Sequence, residues 1–317
     1  NGRGARKASM TARNTGGGNS KQGLAVGIGR NFTFGKNRAF GTKKTRESVW
    51  VNNKKKQLKE SENEKFRKKF QNYLRAANHV AADKLYGNIS NWNISGVTKL
   101  EWLFVVDNRS KTPIESNFSF NTSKLNNWKL DNVISMEGMF CKANITTHAL
   151  ILKNTKNVRN MSHMMSELRI TGSTGGQSLV WTNAASGNSP GSFILDTSSV
   201  KNMSKMFYNS HCNIELKFNT KNVQNMSYMF ASDKANSTTA ITTQGVLEFD
   251  TTSVTNMSGM FKNCKDLNVE LQFNTSVVTD MSHMFNGATN FDNKEKKLDF
   301  ITHNVRNMSN MFNSAKT

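Results

Sequence analysis

The chain has 317 residues and a formal net charge of +21, from 43 Lys and Arg against 22 Asp and Glu. It contains no apolar run of about eighteen residues, which excludes a transmembrane helix, and its first residues lack the apolar core of a signal peptide. The three cysteines, Cys141, Cys212 and Cys264, are scattered, which argues against a disulfide framework and against a metal site.

The basic excess is concentrated near the start of the chain. Residues 1–46 contain eleven Lys and Arg, no acidic residue and many glycines, with no sustained helical or strand period. A segment of this kind buries too little apolar surface to offset the entropy of ordering it. We therefore predict an extended basic Gly-rich arm over 1–46 that becomes ordered only against other molecules of an assembly. Its charge requires an anionic partner, such as nucleic acid, an acidic protein surface or a membrane face.

The arm interleaves three phenylalanines with cations. Such a pattern allows base stacking between phosphate contacts, as in single-strand binders, or aromatic anchoring in pockets of neighbouring proteins. We favour protein pockets. The predicted partner-binding residues of the arm are Arg3, Arg6, Lys7, Arg13, Lys21, Arg30, Phe32, Phe34, Lys36, Arg38, Phe40, Lys43, Lys44 and Arg46.

A linker and a helix follow the arm. Residues 47–60 carry the charge run Lys54–Lys56 and read as a linker. Ser61 and Glu64 form a capping box, and apolar side chains from Phe66 to Leu85 recur at helical spacing until Gly87. The pattern predicts one amphipathic helix over 61–86, placed to cover the open end of a stack of repeats.

The rest of the chain repeats one octamer, Val254-Thr255-Asn256-Met257-Ser258-Gly259-Met260-Phe261. Eight copies occur, the first two weaker than the others, and we number them as repeats 1 to 8. Their residue ranges are 97–104, 133–140, 158–165, 200–207, 223–230, 254–261, 278–285 and 305–312. Self-similarity at such a period is the signature of a repeat architecture.

The spacing of the repeats separates a base unit from insertions. Their first valines are 36, 25, 42, 23, 31, 24 and 27 residues apart, which gives a base period near 23–25. The longer intervals hold surface insertions at 105–125, at roughly 168–191 and at 231–245. Loops of this kind differentiate the binding of repeat proteins.

Each unit reads as a short strand, a turn and a short helix. Leu247 and Phe249 alternate with acidic residues, Asn256 suits a helix cap, and Met257, Met260 and Phe261 share one helical face. An Asn column and a Thr column are expected to stack as ladders. The scaffold residues are Asn160, Met161, Asn202, Met203, Phe207, Asn225, Met226, Phe230, Asn256, Met257, Met260, Phe261, Met281, Phe285, Met308 and Phe312.

No catalytic, cofactor or metal motif accompanies these repeats. The sixteen methionines occupy packing positions, which favours gap filling over soft-metal binding. The histidines show no ligand spacing, and neither a nucleophile elbow nor a phosphate loop occurs. We expect no enzymatic activity and no cofactor.

Trp92-Asn93-Ile94-Ser95-Gly96-Val97-Thr98 and the octamers resemble the BspA-like leucine-rich-repeat surface proteins, a family also described as a mycoplasma domain of unknown function. The resemblance covers residues 86–317. It implies an α/β repeat solenoid, a leucine-rich-repeat-like stack of short strand plus short helix units over 87–317. It also implies adhesion or protein binding, without catalytic residues. Repeats of this family occur in bacterial and protist surface proteins and in large DNA viruses.

The basic arm departs from the surface-protein pattern, as does the lack of a signal, a lipobox cysteine and an anchor. We therefore expect a structural component of a large assembly, with other protein subunits as partners and no membrane span. The specific hypothesis is a minor capsid or cement protein of a large DNA virus, located in the virion. The alternatives are a cell-surface adhesin and a nucleic-acid-associated ribosomal or packaging protein.

Overall fold

The computed structural model describes most of the chain after residue 61. The described residues are 62–106, 112–116, 119–146, 150–171, 179–182, 192–210, 214–233, 246–247, 249–265, 267 and 269–315. The arm, the linker and Ser61 therefore lie outside the described residues. Within the described part, no helix is both long enough and apolar enough to cross a lipid bilayer.

Two helices precede the repeats, where the sequence predicted one. Helix α1 covers residues 62–74 and helix α2 covers His79–Tyr86. Residues 75–78 separate the two helices. Asn78 has an extended backbone, and its side chain accepts the Ala81 amide and starts α2. The break rotates the second helix out of the predicted apolar face, so that Val80 and Leu85 are 78% and 69% exposed.

Helix α1 packs on repeat 1 through aromatic side chains. Phe66, Phe70, Tyr73 and Leu74 are buried. The Phe66 ring lies 5.5 Å from Trp128 in an edge contact, and the Phe70 ring lies 5.2 Å from Phe104. Edge-to-face aromatic pairs at this distance stabilise the fold beyond what burial of their apolar surface contributes.

The octamer folds into tight turns and not into the predicted short helix. In repeat 6 the Asn256 side chain accepts the Ser258 amide at 2.8 Å, and the Met260 amide donates to the Met257 carbonyl at 3.2 Å. The sixth octamer position has a positive φ in all eight repeats, as in the third residue of a type II turn. These residues are Trp102, Gly138, His163, Lys205, Tyr228, Gly259, His283 and Asn310.

The hydrogen bonds of the other octamer amides explain why the octamers of the described repeats do not form an α-helix. The amides of Met257, Gly259 and Phe261 donate to carbonyls of repeat 7, at 2.9, 2.7 and 2.9 Å. Every second amide therefore leaves its own repeat, which is incompatible with the i to i−4 bonds of an α-helix.

A ladder of parallel bridges connects successive repeats. Its rungs are Lys99–Ser135, Ser135–Asn160, Asn160–Asn202, Asn202–Asn225, Asn225–Asn256, Asn256–Asp280 and Asp280–Asn307. Repeats 3 and 4 lie 42 residues apart and pair in the same register as repeats 4 and 5, which lie 23 apart. The insertions therefore leave the ladder intact.

Nine short strands flank the octamers in the part of the chain that the structure describes. They are β1 Phe120–Asn121, β2 Asn144–Thr146, β3 Leu150–Ile151, β4 Arg169–Thr171, β5 Leu179–Thr182, β6 Ser192–Ile194, β7 Ile214–Lys217, β8 Val246–Leu247 and β9 Glu270–Leu271. All described strand pairs are parallel, in the orders β1-β2-β4, β3-β6-β5-β7 and β8-β9. Strand β5, from the largest insertion, lies between the strands that precede repeats 4 and 5.

The core consists of side-chain columns that run along the ladder. The octamer methionines of repeats 2 to 7 are fully buried. The rings of Phe207, Phe230, Phe261, Phe285 and Phe312 stack in order, with centroids 5.3 to 5.7 Å apart and nearly parallel planes. Each buried Met or Phe side chain contributes about 1.5–3 kcal/mol.

Buried threonines tie the repeats together beside the core. The Thr275 hydroxyl donates to the Ile301 carbonyl at 3.0 Å and accepts the Ile301 amide at 2.7 Å. Thr197 makes the same pair of bonds with Asn219. Thr220 is the exception, since its buried hydroxyl has no hydrogen-bond partner among the described residues.

Candidate functional site

Most of the predicted scaffold residues pack inside the molecule or within its turns. The methionines and phenylalanines of this set are buried through repeat 7, and the asparagines accept the amide two residues ahead. Only Met308 and Phe312, in repeat 8, are substantially exposed. The predicted arm residues lie outside the described part of the chain.

Among the described residues, no three His, Cys, Asp or Glu side chains come together to hold a metal ion. His163 lies against the Trp102 ring with centroids 5.4 Å apart, and the His283 ring is 3.5 Å from the Asn286 amide nitrogen. Both histidines occupy the left-handed octamer position, where the turn fixes their direction.

A candidate site is a cleft of about 620 Å³ on the side of the ladder where the octamers end. Repeats 2, 3 and 4 supply its floor, and its apolar part includes Phe104, Ile114 and Leu168. The full lining is Phe104, Pro113, Ile114, Ser116, Lys142, Ala143, Asn144, Glu167, Leu168, Arg169, Asn209, Ser232 and Asp233. Its size falls within the range of ligand and peptide sites.

All three predicted insertions border this cleft. Pro113 belongs to the first insertion, Arg169 to the start of the second, and Asp233 to the start of the third. The insertions follow repeats 1, 3 and 5, and four steps of a parallel ladder span roughly 19 Å. Segments far apart in the sequence are thus brought to one place on the molecule.

The floor of the cleft contains an ion pair on neighbouring repeats. Lys142 Nζ lies 3.6 Å from Glu167 Oε2, and both residues have a positive φ. Their amides donate to the Ser166 and Tyr208 carbonyls of the next repeat, at 2.9 and 2.8 Å. The backbone therefore fixes both side chains side by side. Because they are partly exposed, the pair stabilises the fold by at most about 1 kcal/mol.

The third insertion is fastened at its start by a side-chain clamp. The Asn209 side chain accepts the Asp233 amide at 2.8 Å and donates to Asp233 Oδ2 at 3.0 Å. The Tyr208 hydroxyl donates to Asp233 Oδ1. This hydrogen bond lowers the pKa of Asp233, while burial and the same carboxylate raise the pKa of Tyr208. The Asp233 carboxylate therefore holds the start of the third insertion in place and already accepts hydrogen bonds from Tyr208 and Asn209.

The cleft carries both signs of charge. Its lining includes Lys142 and Arg169 as well as Glu167 and Asp233, together with the apolar Phe104, Ile114 and Leu168. A site for a polyanion would present an excess of cations. Mixed charges beside buried apolar groups instead match the surface of a protein or peptide.

The sequence predicted the positions of the three insertions but did not predict that residues from all three would line one cleft. Each insertion begins within three residues of the end of an octamer, at 105 after Phe104, 168 after Met165 and 231 after Phe230. Equal positions in a repeat lie in one row once the repeats pair in register. The shared position of the insertions, just after an octamer, is therefore the sequence feature that could have predicted that they lie close together.

A family model described as "Mycoplasma protein of unknown function, DUF285" matches residues 75–173, 183–239 and 233–317 of this chain. The matches begin directly after α1 and extend over all eight repeats. No curated protein and no solved structure matches the chain.

Proposed function

Since this chain belongs to the family described as a Mycoplasma protein of unknown function, DUF285, we propose its role from the geometry: it is a non-enzymatic scaffold that binds another protein. In this proposal residues 87–317 form a leucine-rich-repeat-like solenoid. The cleft beside repeats 2 to 5 is the binding site, and the three insertions provide its specific contacts.

The observation that carries the proposal is the meeting of three separate insertions at one cleft. In repeat proteins, insertions that share one face commonly form the binding surface. Outside the insertions, the methionine, phenylalanine and threonine side chains of each repeat form buried columns. Described residues from three insertions therefore line a single cleft on an otherwise uniform ladder.

The solenoid part of the proposal is supported by the parallel bridges, which keep one register through all eight repeats. It is supported also by the columns of Phe, Met and Thr, since identical side chains stack only when successive units are related by a constant step.

Substitutions at exposed cleft residues test the binding site. Arg169→Glu and Ser116→Arg change the chemistry of the lining without touching the buried columns. With a tagged full chain expressed in its native host, we expect each variant to lose the co-purified partner while retaining its circular dichroism spectrum. Lys221→Glu is the matched control, because Lys221 is exposed and does not line the cleft. Retention of the partner by both cleft variants, or the absence of any partner for the wild type, refutes the proposal.

We propose further that the basic arm anchors this scaffold in a large assembly, with a minor capsid or cement protein of a large DNA virus as the specific form. The support is compositional: residues 1–46 carry eleven basic side chains and no acidic one. Deletion of 1–46 is expected to abolish incorporation into the particle and to leave the repeats folded. Normal incorporation of the truncated chain contradicts this role.

A cell-surface adhesin is the second candidate, favoured by the resemblance of the octamers to BspA-like surface repeats. Protease digestion of intact host cells separates the two. An adhesin is cleaved from the outside, whereas a component enclosed in a particle is protected until the particle is opened.

A further inference from the structure

Positively charged side chains gather where the chain turns into the octamers of repeats 2, 3 and 4. In repeat 3 this turn is closed by the Val158 amide, which donates to the Thr155 carbonyl at 2.9 Å. Thr155 and Val158 are buried, whereas the cations on and beside the turn are exposed. These exposed cations, here called the basic corner, are Lys129, Lys153, Lys156, Arg159 and Lys201.

The register of the ladder brings the members of the basic corner together. Lys129 and Lys153 are bridge partners on neighbouring repeats. The Lys201 amide donates to the Arg159 carbonyl at 2.9 Å, so these two residues also lie on adjacent steps. Successive chains of a parallel ladder are roughly 4.8 Å apart. Cations that are distant in the sequence therefore form one patch across three repeats.

Acidic side chains do not neutralise the basic corner. None of its cations forms an ion pair with a described acidic residue. Asp131 and Asp196 lie on the same repeats, but each already accepts a hydrogen bond: Asp131 from the Asn154 side chain at 3.1 Å, and Asp196 from the Ser198 amide at 2.8 Å. Like charges on facing positions of neighbouring strands are destabilising. A bound anion would relieve this repulsion.

The surroundings of these cations favour nucleic acid over an acidic protein as the anion. Within residues 153–159 and 196–201, every exposed or partly exposed side chain is charged or polar. Ile134 of repeat 2 is exposed as well, but one isolated apolar side chain is ordinary on a protein surface. Protein interfaces have few charged residues at their centre and are enriched there in aromatic anchors. Nucleic-acid interfaces are more polar and far more positively charged.

The same surroundings favour a duplex over a single strand. Proteins that bind single strands combine cations with aromatic rings on which the unpaired bases stack. Residues 153–159 and 196–201 include no aromatic side chain. A duplex keeps its bases stacked inside and presents its phosphates outward, so cations and polar groups suffice to hold it.

We propose that the basic corner binds the phosphate backbone of a nucleic-acid duplex, without reading its sequence. Contacts to phosphate position a protein on the duplex and carry no information about the bases. This surface is separate from the cleft, because none of the five cations lines the cleft. Duplex binding at the corner and protein binding in the cleft can therefore be tested independently.

A pair of charge reversals in the full 317-residue chain tests the corner. Lys156→Glu combined with Lys201→Glu removes two of its cations. Lys84→Glu combined with Lys296→Glu is the matched control, because both lysines are exposed, lie outside the corner, and change the net charge by the same amount. All the proteins keep the basic arm, so its contribution to binding is common to the comparison.

The probe is a short fluorescently labelled DNA duplex of random sequence, and its binding is measured by anisotropy at several salt concentrations. Each phosphate contact contributes about 0.9 to the slope of log affinity against log salt, so the corner pair should lower that slope by about 1.8 and weaken binding at least about tenfold. The control pair is expected to keep the slope of the wild type. Circular dichroism and urea unfolding establish that both pairs are folded, and the milder Lys156→Gln with Lys201→Gln replaces the corner pair if it is not.

Competitors identify the anion. Unlabelled single-stranded DNA, heparin and phosphatidylserine vesicles are titrated against the same proteins. Equal slopes for the corner pair and the control pair, or no duplex binding by the wild type, overturn the proposal. A loss of binding in the corner pair that is larger for the single strand, heparin or the vesicles than for the duplex also overturns it, because the occupant is then a single strand, a sulfated polysaccharide or a lipid surface.

Discussion

The hydrogen bond that recurs at the octamer asparagine is made by its side-chain oxygen. In six repeats an Asx-turn forms between this residue and the serine two positions later, and Asp280 replaces Asn in repeat 7 with the same 2.9 Å bond to the Ser282 amide. Since only the side-chain oxygen is needed, an aspartate serves equally well.

Asn256→Asp should therefore leave the free energy of unfolding nearly unchanged, whereas Asn256→Ala should lower it by about 0.5–2 kcal/mol through loss of the bond to the Ser258 amide. Urea titration of both variants measures the difference. Equal destabilisation by the two substitutions would show that the side-chain amide group, and not the oxygen, is required.

Two threonines of the same column provide a second matched pair. Thr251 Oγ1 donates to the Asn274 carbonyl at 2.9 Å, while Thr220 Oγ1 is buried without a partner. Thr251→Val is expected to cost about 1–3 kcal/mol, because the carbonyl loses its donor. Thr220→Val removes an unsatisfied hydroxyl and is expected to be neutral or stabilising. Thermal unfolding of the two variants checks the order, and a larger loss for Thr220→Val would contradict the described hydrogen bonding.

At the scale of elements, the sequence predicted which octamer residues are buried. It did not predict that the octamer forms tight turns and not a short helix. Met257, Met260 and Phe261 are all buried, as their spacing indicated. The spacing i, i+3, i+4 suits a helical turn, and it suits successive tight turns equally. The structure has the turns because alternate amides bond to the next repeat, an interaction between residues more than twenty positions apart that local periodicity cannot show.

The phenylalanine column makes the dependence on neighbours measurable. Phe230 is buried between the Phe207 and Phe261 rings, at 5.6 and 5.7 Å, whereas Phe312 has one such neighbour within the described residues. Phe230→Ala should cost about 3–5 kcal/mol, as for a large side chain removed from a core. Phe312→Ala should cost clearly less. Denaturant unfolding compares them, and equal losses would contradict the difference in burial between Phe230 and Phe312.

Helix α1 closes the ladder with a side chain that the apolar pattern did not single out. Periodicity identified Phe66, Phe70 and Tyr73, yet Asn63 makes three hydrogen bonds to Thr98 and Lys99. Asn63→Leu should leave those two amides unpaired and accelerate hydrogen exchange in repeat 1, with repeats 4 to 7 unaffected. Exchange that increases uniformly along the chain would indicate global destabilisation and no specific closure.

At the scale of the whole molecule, the repeats pair in one constant register, whereas the insertions between them make one part of the surface different from the rest. The repeats, their period and the places of the insertions were predictable from the sequence. The cleft was not, because Pro113, Arg169 and Asp233 are 56 and 64 residues apart along the chain and meet only through the register of the ladder. The family to which the chain belongs has no described activity, so the cleft is the feature from which its role is argued.

The binding of a partner in this cleft is the central claim, and site-specific photo-cross-linking in the native host tests it most directly. A photoreactive amino acid at position 116 or 169 reports on the cleft, and the same group at 221 reports on exposed surface outside it. We expect one cross-linked protein shared by the two cleft positions and absent from position 221. Cross-links of equal intensity from position 221, or none from the cleft positions, would contradict it.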